Sequence, residues 1–152
     1  MGVSLSQMNK PILVALDDSE SSVAVLEAAV KLAQRFGARL VLCRVIALPA
    51  VQLSPDGLPV AGDLQAELER KAKADLSAIA PRVPAGIATS FVTVFDVPWE
   101  GICEAARKQD ASLIVIGSHT YGGLDRILGT TAAKVVNHAD RTVMVVRGDF
   151  TA

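Results

Sequence analysis

Five short apolar runs recur along the chain, at residues 12–16, 39–46, 87–95, 111–116 and 142–146, and each gap between them is long enough for a helix. The first, second, fourth and fifth are nearly continuous in Ile, Leu, Val and Ala. Strands covered on both faces read this way, as in a parallel sheet. The third, IATSFVTVF, sets Phe, Val and Thr among smaller residues and is equally rich in strand formers.

The gaps carry helical spacing. After the first run, Val25, Ala29, Leu32 and Phe36 fall at i, i+4, i+7 and i+11, one face of a helix. Asp18 or Ser19 is placed to cap its start, and Gly37 to end it in the left-handed conformation. Strand, helix and strand in succession make a βαβ unit with a parallel pair and a right-handed crossover. A second helix is predicted over 63–79, with Leu64, Leu68, Ala72, Leu76 and Ile79 as its apolar stripe. Glu67, Glu69, Arg70, Lys71 and Lys73 form its solvated side. Asp96 and Pro98 signal a third helix start, with Trp99, Ile102 and Ala106 inward and an end near Gln109. A fourth helix is predicted over 130–139, with Ala132, Val135, Val136 and Ala139 on one side. Strict alternation specifies an α/β fold, a doubly wound five-stranded parallel sheet of Rossmann-like type.

The segment 47–62 holds Pro49, Pro55, Pro59, Gly57 and Gly62 and reads as a long loop, functional or mobile in character. A length of 152 residues suits one domain, expected at 10–148 with a flexible tail at 1–9 and a short one at 149–152. Although 51% of residues are hydrophobic, no run approaches the roughly 18 apolar residues of a membrane span. A net charge of −1 lacks the basic balance of a nucleic-acid binder. Cys43 and Cys103 read as small buried hydrophobes, with a disulfide or a reactive thiol as the alternative. The polar first residues lack a secretory apolar core, so a cytoplasmic location is expected.

Ligands of doubly wound sheets sit beyond the carboxyl ends of the strands, where strand order reverses. Two features map there: Asp17, and the segment from Gly117-Ser118-His119-Thr120 through Gly122-Gly123 to Gly129-Thr130-Thr131. Glycines allow close approach of backbone N–H groups to an anion and positive φ. A helix N-terminus adds free N–H groups and a positive dipole end. Thr130 and Thr131 add hydroxyls. The segment therefore suits a triphosphate; it also suits a plain tight turn with Thr130 as helix cap. It is neither a Walker A motif nor a G-x-G-x-x-G after the first strand. Asp17 reads either as a helix-start acid or as an acceptor for a ribose or adenine amine. His119 is a candidate base or phosphate ligand, and His138 a surface residue near a helix C-terminus. No catalytic triad, paired-carboxylate or metal-ligand pattern is readable.

Two stretches resemble the universal stress proteins: ILVALDDSE at 12–20, and LIVIGSHTYGGLDRILGTTAAKVVNHADRTVMVV at 113–146. The likeness extends over essentially the whole chain from Lys10. It implies strand order 3-2-1-4-5, an adenine nucleotide alpha hydrolase-like fold, and a homodimer through the fifth strand. An exposed TVMVV edge would suit such a seam. The nucleotide-binding branch of the family holds ATP, with or without Mg²⁺, through Gly, two residues, Gly, nine residues, Gly, then Ser or Thr. By position Gly117 is the first glycine, and Gly129-Thr130 the last pair, with Ser118, His119, Thr120 and Thr131 beside them. Asp17 takes the acidic nucleoside position, and Ala15 and Val45 line the adenine. Thr120 replaces the second glycine, and the spacer 121–128 is one residue short.

The resemblance thus implies an ATP-binding regulator of stress adaptation. Thr120 motivates an alternative, a nucleotide-independent interaction module of the same family. A third reading is a slow ATPase or self-phosphorylating protein using Ser118, Thr130, Thr131 and His119.

Overall fold

A computed structural model describes residues 10–48, 55–56, 61–118 and 128–148. The tails, most of the 47–62 loop, and the stretch from His119 to 127 lie outside the described residues.

Five strands form one sheet: β1 (Ile12–Ala15), β2 (Leu40–Ile46), β3 (Thr89–Phe95), β4 (Leu113–Gly117) and β5 (Thr142–Val146). Their order is β3-β2-β1-β4-β5, and every neighbouring pair is parallel. Four α-helices connect them: α1 (Ser22–Phe36), α2 (Ala61–Ile79), α3 (Pro98–Lys108) and α4 (Thr130–His138). The doubly wound sheet expected from the alternation is therefore what the chain builds, in the order that the resemblance implied.

Side-chain parity divides the core. Ile12, Val14, Leu40, Leu42 and Val115 face α1 and the Leu76 side of α2. Leu13, Ala15, Val41, Cys43, Ile114 and Ile116 face α3 and α4. Both faces of β1 are fully covered, which explains its unbroken apolar run. Among the described residues, no helix is long and apolar enough to cross a membrane.

Several local expectations are corrected. The first helix starts at Ser22, and its N-cap position, Ser21, makes no side-chain capping bond. Asp18 and Ser19 therefore do not cap it. The Ser19 amide instead turns back to donate to Asp17 Oδ1 at 2.9 Å. Phe36 does not continue the buried face; it is 66% exposed. It is the last residue of α1, and the left-handed Gly37 already turns the chain back toward β2. Small residues, Ala28, Ala29 and Ala33, carry the contact and let α1 lie close to the sheet. Leu64, near the start of α2, and Val136 on α4 are exposed as well. Gln109 caps α3 as expected.

Candidate functional site

β1 and β4 are neighbours, yet the helices that follow them cover opposite faces of the sheet. Between their carboxyl ends lies a cleft of about 490 Å³. That volume falls within the roughly 300–1,000 Å³ range of small-molecule sites, at the place where doubly wound sheets bind ligands.

One part of the cleft is apolar. Ala15, Cys43, Val45 and Ile116 come from strand ends, and Pro98, Ile102 and Leu128 from the connections above them. The strand backbone contributes a polar edge there. Parallel pairing turns the peptide groups of alternate β2 residues toward opposite neighbours. Ile46 C=O accepts from Asp96 N–H on the β3 side, and Cys43 C=O accepts from Leu16 N–H on the β1 side. Val45 shares the direction of Cys43, but β1 ends at Ala15. Its N–H and C=O therefore face the cleft.

The other part is polar. Asp17, Ser21, Ser22, Gly117, Gly129, Thr130 and Thr131 line it. Asp17 is held tightly. Its Oδ1 accepts from the Ser19 amide and hydroxyl and lies 3.1 Å from Ser22 Oγ. Ser19 and Ser21 hydroxyls are 2.6 Å apart. The Ser19–Ser22 cluster thus orients the carboxylate rather than capping the helix. Gly129 is the N-cap of α4 and offers no side-chain capping bond. Among the described residues, no N-cap side chain takes the first-turn N–H groups at Thr130 and Thr131, and the positive dipole end lies behind them.

The glycines act differently from the sequence expectation. Gly129 has φ −58°, and Gly117 is not among the positive-φ residues, which among the described residues are Gly37, Gly148 and Asp110. Neither end of the segment uses the left-handed conformation. Gly117 matters for closeness: a Cβ there would lie 3.1 Å from Val25 Cγ2, against α1.

Of the expected site residues, Ala15, Asp17, Val45, Gly117, Gly129, Thr130 and Thr131 come together around the cleft. The amide of Ser118 donates to Val146 C=O at 3.1 Å, committing that peptide to the β4–β5 pair. His119 and Thr120, with Gly122 and Gly123, lie outside the described residues. Pro98, Ile102 and Leu128 were not anticipated as lining. The signal for Pro98 and Ile102 was available, because α3 follows β3 and so must start at the same end of the sheet.

Cys43 and Cys103 are free, buried thiols. Burial pushes the Cys43 thiol from 9.0 up to about 12, and burial also raises Cys103. His138 is exposed at the end of α4, its ring 4.5 Å from Trp99 and its Nδ1 2.8 Å from Lys134 C=O.

The family model described as the universal stress protein family matches residues 8–147. The chain belongs to the universal stress protein family. A universal stress protein of Methanocaldococcus jannaschii is 32% identical over 146 residues, covering 91% of this chain and 82% of the relative. UspA of Lactobacillus plantarum has a solved structure with TM-score 0.74 at 26% identity, covering 91% of this chain and 97% of that one. A universal stress protein solved in complex with cAMP has TM-score 0.69 at 23% identity, covering 90% of this chain and 96% of that one. At that identity it shows the shared fold, and the nucleotide is a property of that protein.

Proposed function

We propose that this universal stress protein binds an adenine nucleotide, ATP foremost, in the cleft between β1 and β4. The observation that carries the reading is one of placement. An apolar slot at Ala15, Val45 and Ile102 and an uncapped helix N-terminus at Gly129-Thr130 sit at opposite parts of one cleft, with a fixed carboxylate at Asp17. A purine would occupy the slot, with its polar edge at the Val45 peptide groups. The ribose would hydrogen-bond Asp17. The phosphates would take the N–H groups and hydroxyls of Thr130 and Thr131, and Mg²⁺ would accompany them, bound chiefly through phosphate oxygens and water. Gly117 would line the same part of the cleft, with α1 held close behind it. Ser118, His119 and Thr120 belong to the same proposal as the segment entering the phosphate end.

Occupancy of the cleft would serve regulation in stress adaptation. The protein is proposed to act in the cytoplasm as a homodimer joined through β5, whose Val143, Met144 and Val145 stay half-buried in the single chain. Isothermal titration with ATP and Mg²⁺ tests the binding. Heat that saturates at one nucleotide per chain is expected; no binding at millimolar ATP overturns the reading. Light scattering of the same sample reads the dimer.

A further inference from the structure

Gly101 lies in the first turn of α3, buried, with its N–H donating to Val97 C=O at 2.9 Å. A Cβ at this position would fall 2.7 Å from Val45 Cγ1, 3.0 Å from Val45 Cγ2 and 3.1 Å from Asp96 Cβ. Contacts below 3.0 Å do not persist between real side chains, so an alanine here must move something. Pro98 and Ile102, on either side of Gly101, line the cleft, and so does Val45. The missing Cβ therefore lets α3 settle against β2 and gives the Val45 isopropyl group its room on the helix side.

We infer that Gly101 is a specificity-determining residue of the base slot, acting through Val45; the inference rests on the nucleotide reading above. With a Cβ at 101, either α3 lifts or Val45 turns. Lifting is resisted where α3 begins. Asp96 N–H donates to Ile46 C=O at 3.2 Å, and Val97 N–H donates to Asp96 Oδ1 at 2.7 Å, tying the helix entry to the end of β2. Val45 is β-branched, so it moves between discrete rotamers rather than by small increments. A turn away from the helix carries a methyl into the apolar slot. The three atoms nearest a Cβ at 101 belong to Val45 and Asp96, whereas Gly129, Thr130 and Thr131 are on α4 and its N-cap. Gly101 thus governs the fit of the base while leaving the phosphate end untouched. A flat purine is the ligand most affected, a smaller pyrimidine less.

Isothermal titration of ATP, CTP and inorganic tripolyphosphate against the full chain, Gly101→Ala, and Gly101→Ala with Val45→Ala tests this. Gly101→Ala should weaken ATP about tenfold or more, CTP less, and tripolyphosphate not at all. The double variant should bind ATP more tightly than Gly101→Ala alone, because the contacting methyls are gone. Alanine is the better helix former, so lost helix propensity does not explain a loss. Unchanged ATP affinity in Gly101→Ala, or an equal fall for tripolyphosphate, overturns the inference while the nucleotide reading stands. Absence of ATP binding in the parent protein removes both. Should Gly101→Ala fail to fold, the double variant must still fold and bind ATP; its failure also overturns the inference.

Discussion

The Ser22 hydroxyl bridges both backbone groups of Asp17, accepting from its N–H at 3.2 Å and donating to its C=O at 2.8 Å. The strand β1 has already ended at Ala15, so no ladder remains to hold this peptide. Ser22, 7% exposed, supplies the bond that the missing ladder would have made, and brings α1 to the rim of the cleft.

Replacing Ser22 with Ala removes the hydroxyl that both of those backbone groups bond. The expected cost is about 1–3 kcal/mol. Urea unfolding should show a lower midpoint at unchanged slope. ATP affinity should fall as well, because the Asp17 carboxylate loses one of the hydroxyls that orient it. An unchanged midpoint would show that the bridge contributes nothing.

Gly129→Asp places a carboxylate at the N-cap of α4, where none acts now. Aspartate is a favoured cap, better than glycine by only a few tenths of a kcal/mol, so helix stability should rise slightly. It also occupies the first-turn N–H groups and repels phosphate. The protein should therefore melt at the same temperature or higher, while ATP binding drops at least about tenfold. Thermal melting and calorimetric titration on one preparation separate the two effects. Retained affinity would place the phosphates elsewhere.

Cys43 makes stability depend on alkaline pH. In the folded protein its thiol titrates at about 12, up from 9.0, because burial disfavours the thiolate. Above pH 9 the unfolded chain loses this proton while the folded chain keeps it. The contribution is complete below pH 9 and is lost as pH rises toward 12. Urea midpoints should fall less steeply with pH in Cys43→Ala than in the parent. Parallel slopes would mean that Cys43 does not contribute.

Arg141 fastens the end of α3. Its Nη1 donates to Ala106 C=O and Ala111 C=O, each at 2.8 Å, across the turn into β4. Arg141→Ala should cost about 1.5–3 kcal/mol, the scale of hydrogen bonds from a charged group. Lysine should restore only part, since one ammonium cannot reproduce the planar fork that also grips Asp140. The hydrogen bond from Arg141 holds the Asp140 carboxyl below its ordinary value. Its contribution is present above the ordinary carboxylate range and is lost as pH falls through the lowered value. Because Asp140 is exposed, Asp140→Asn should alter the acid limb of the stability profile only slightly. Chemical denaturation of the three variants across acid and neutral pH measures both effects.

Much of this arrangement was legible in the residues. The apolar runs reported strands because both sheet faces are covered, and β5 was predicted with the bounds it has. The meeting of Asp17 and Gly129 at one cleft was legible too, since strand ends and helix starts in an alternating chain must meet at one edge of the sheet. Helix faces were less so. Phe36, Leu64 and Val136 fit an apolar stripe in sequence yet face solvent, because periodicity says which side of a helix is apolar and not how far the neighbouring layer extends.

The parallel α/β architecture, and the end of the sheet at which a ligand would bind, follow from the order of residues alone. Local spacing and covalent order suffice for both. The shape of that site depends on packing. Ser19, Ser21 and Ser22 became a clamp on Asp17 instead of a helix cap because α1 begins later than its capping signals suggested. Gly117 and Gly101 proved to be places of close approach, to Val25 and to Val45, and not points of unusual backbone conformation. Which atoms a missing Cβ would meet depends on residues far apart in the chain, and that distance closes only when the helices pack.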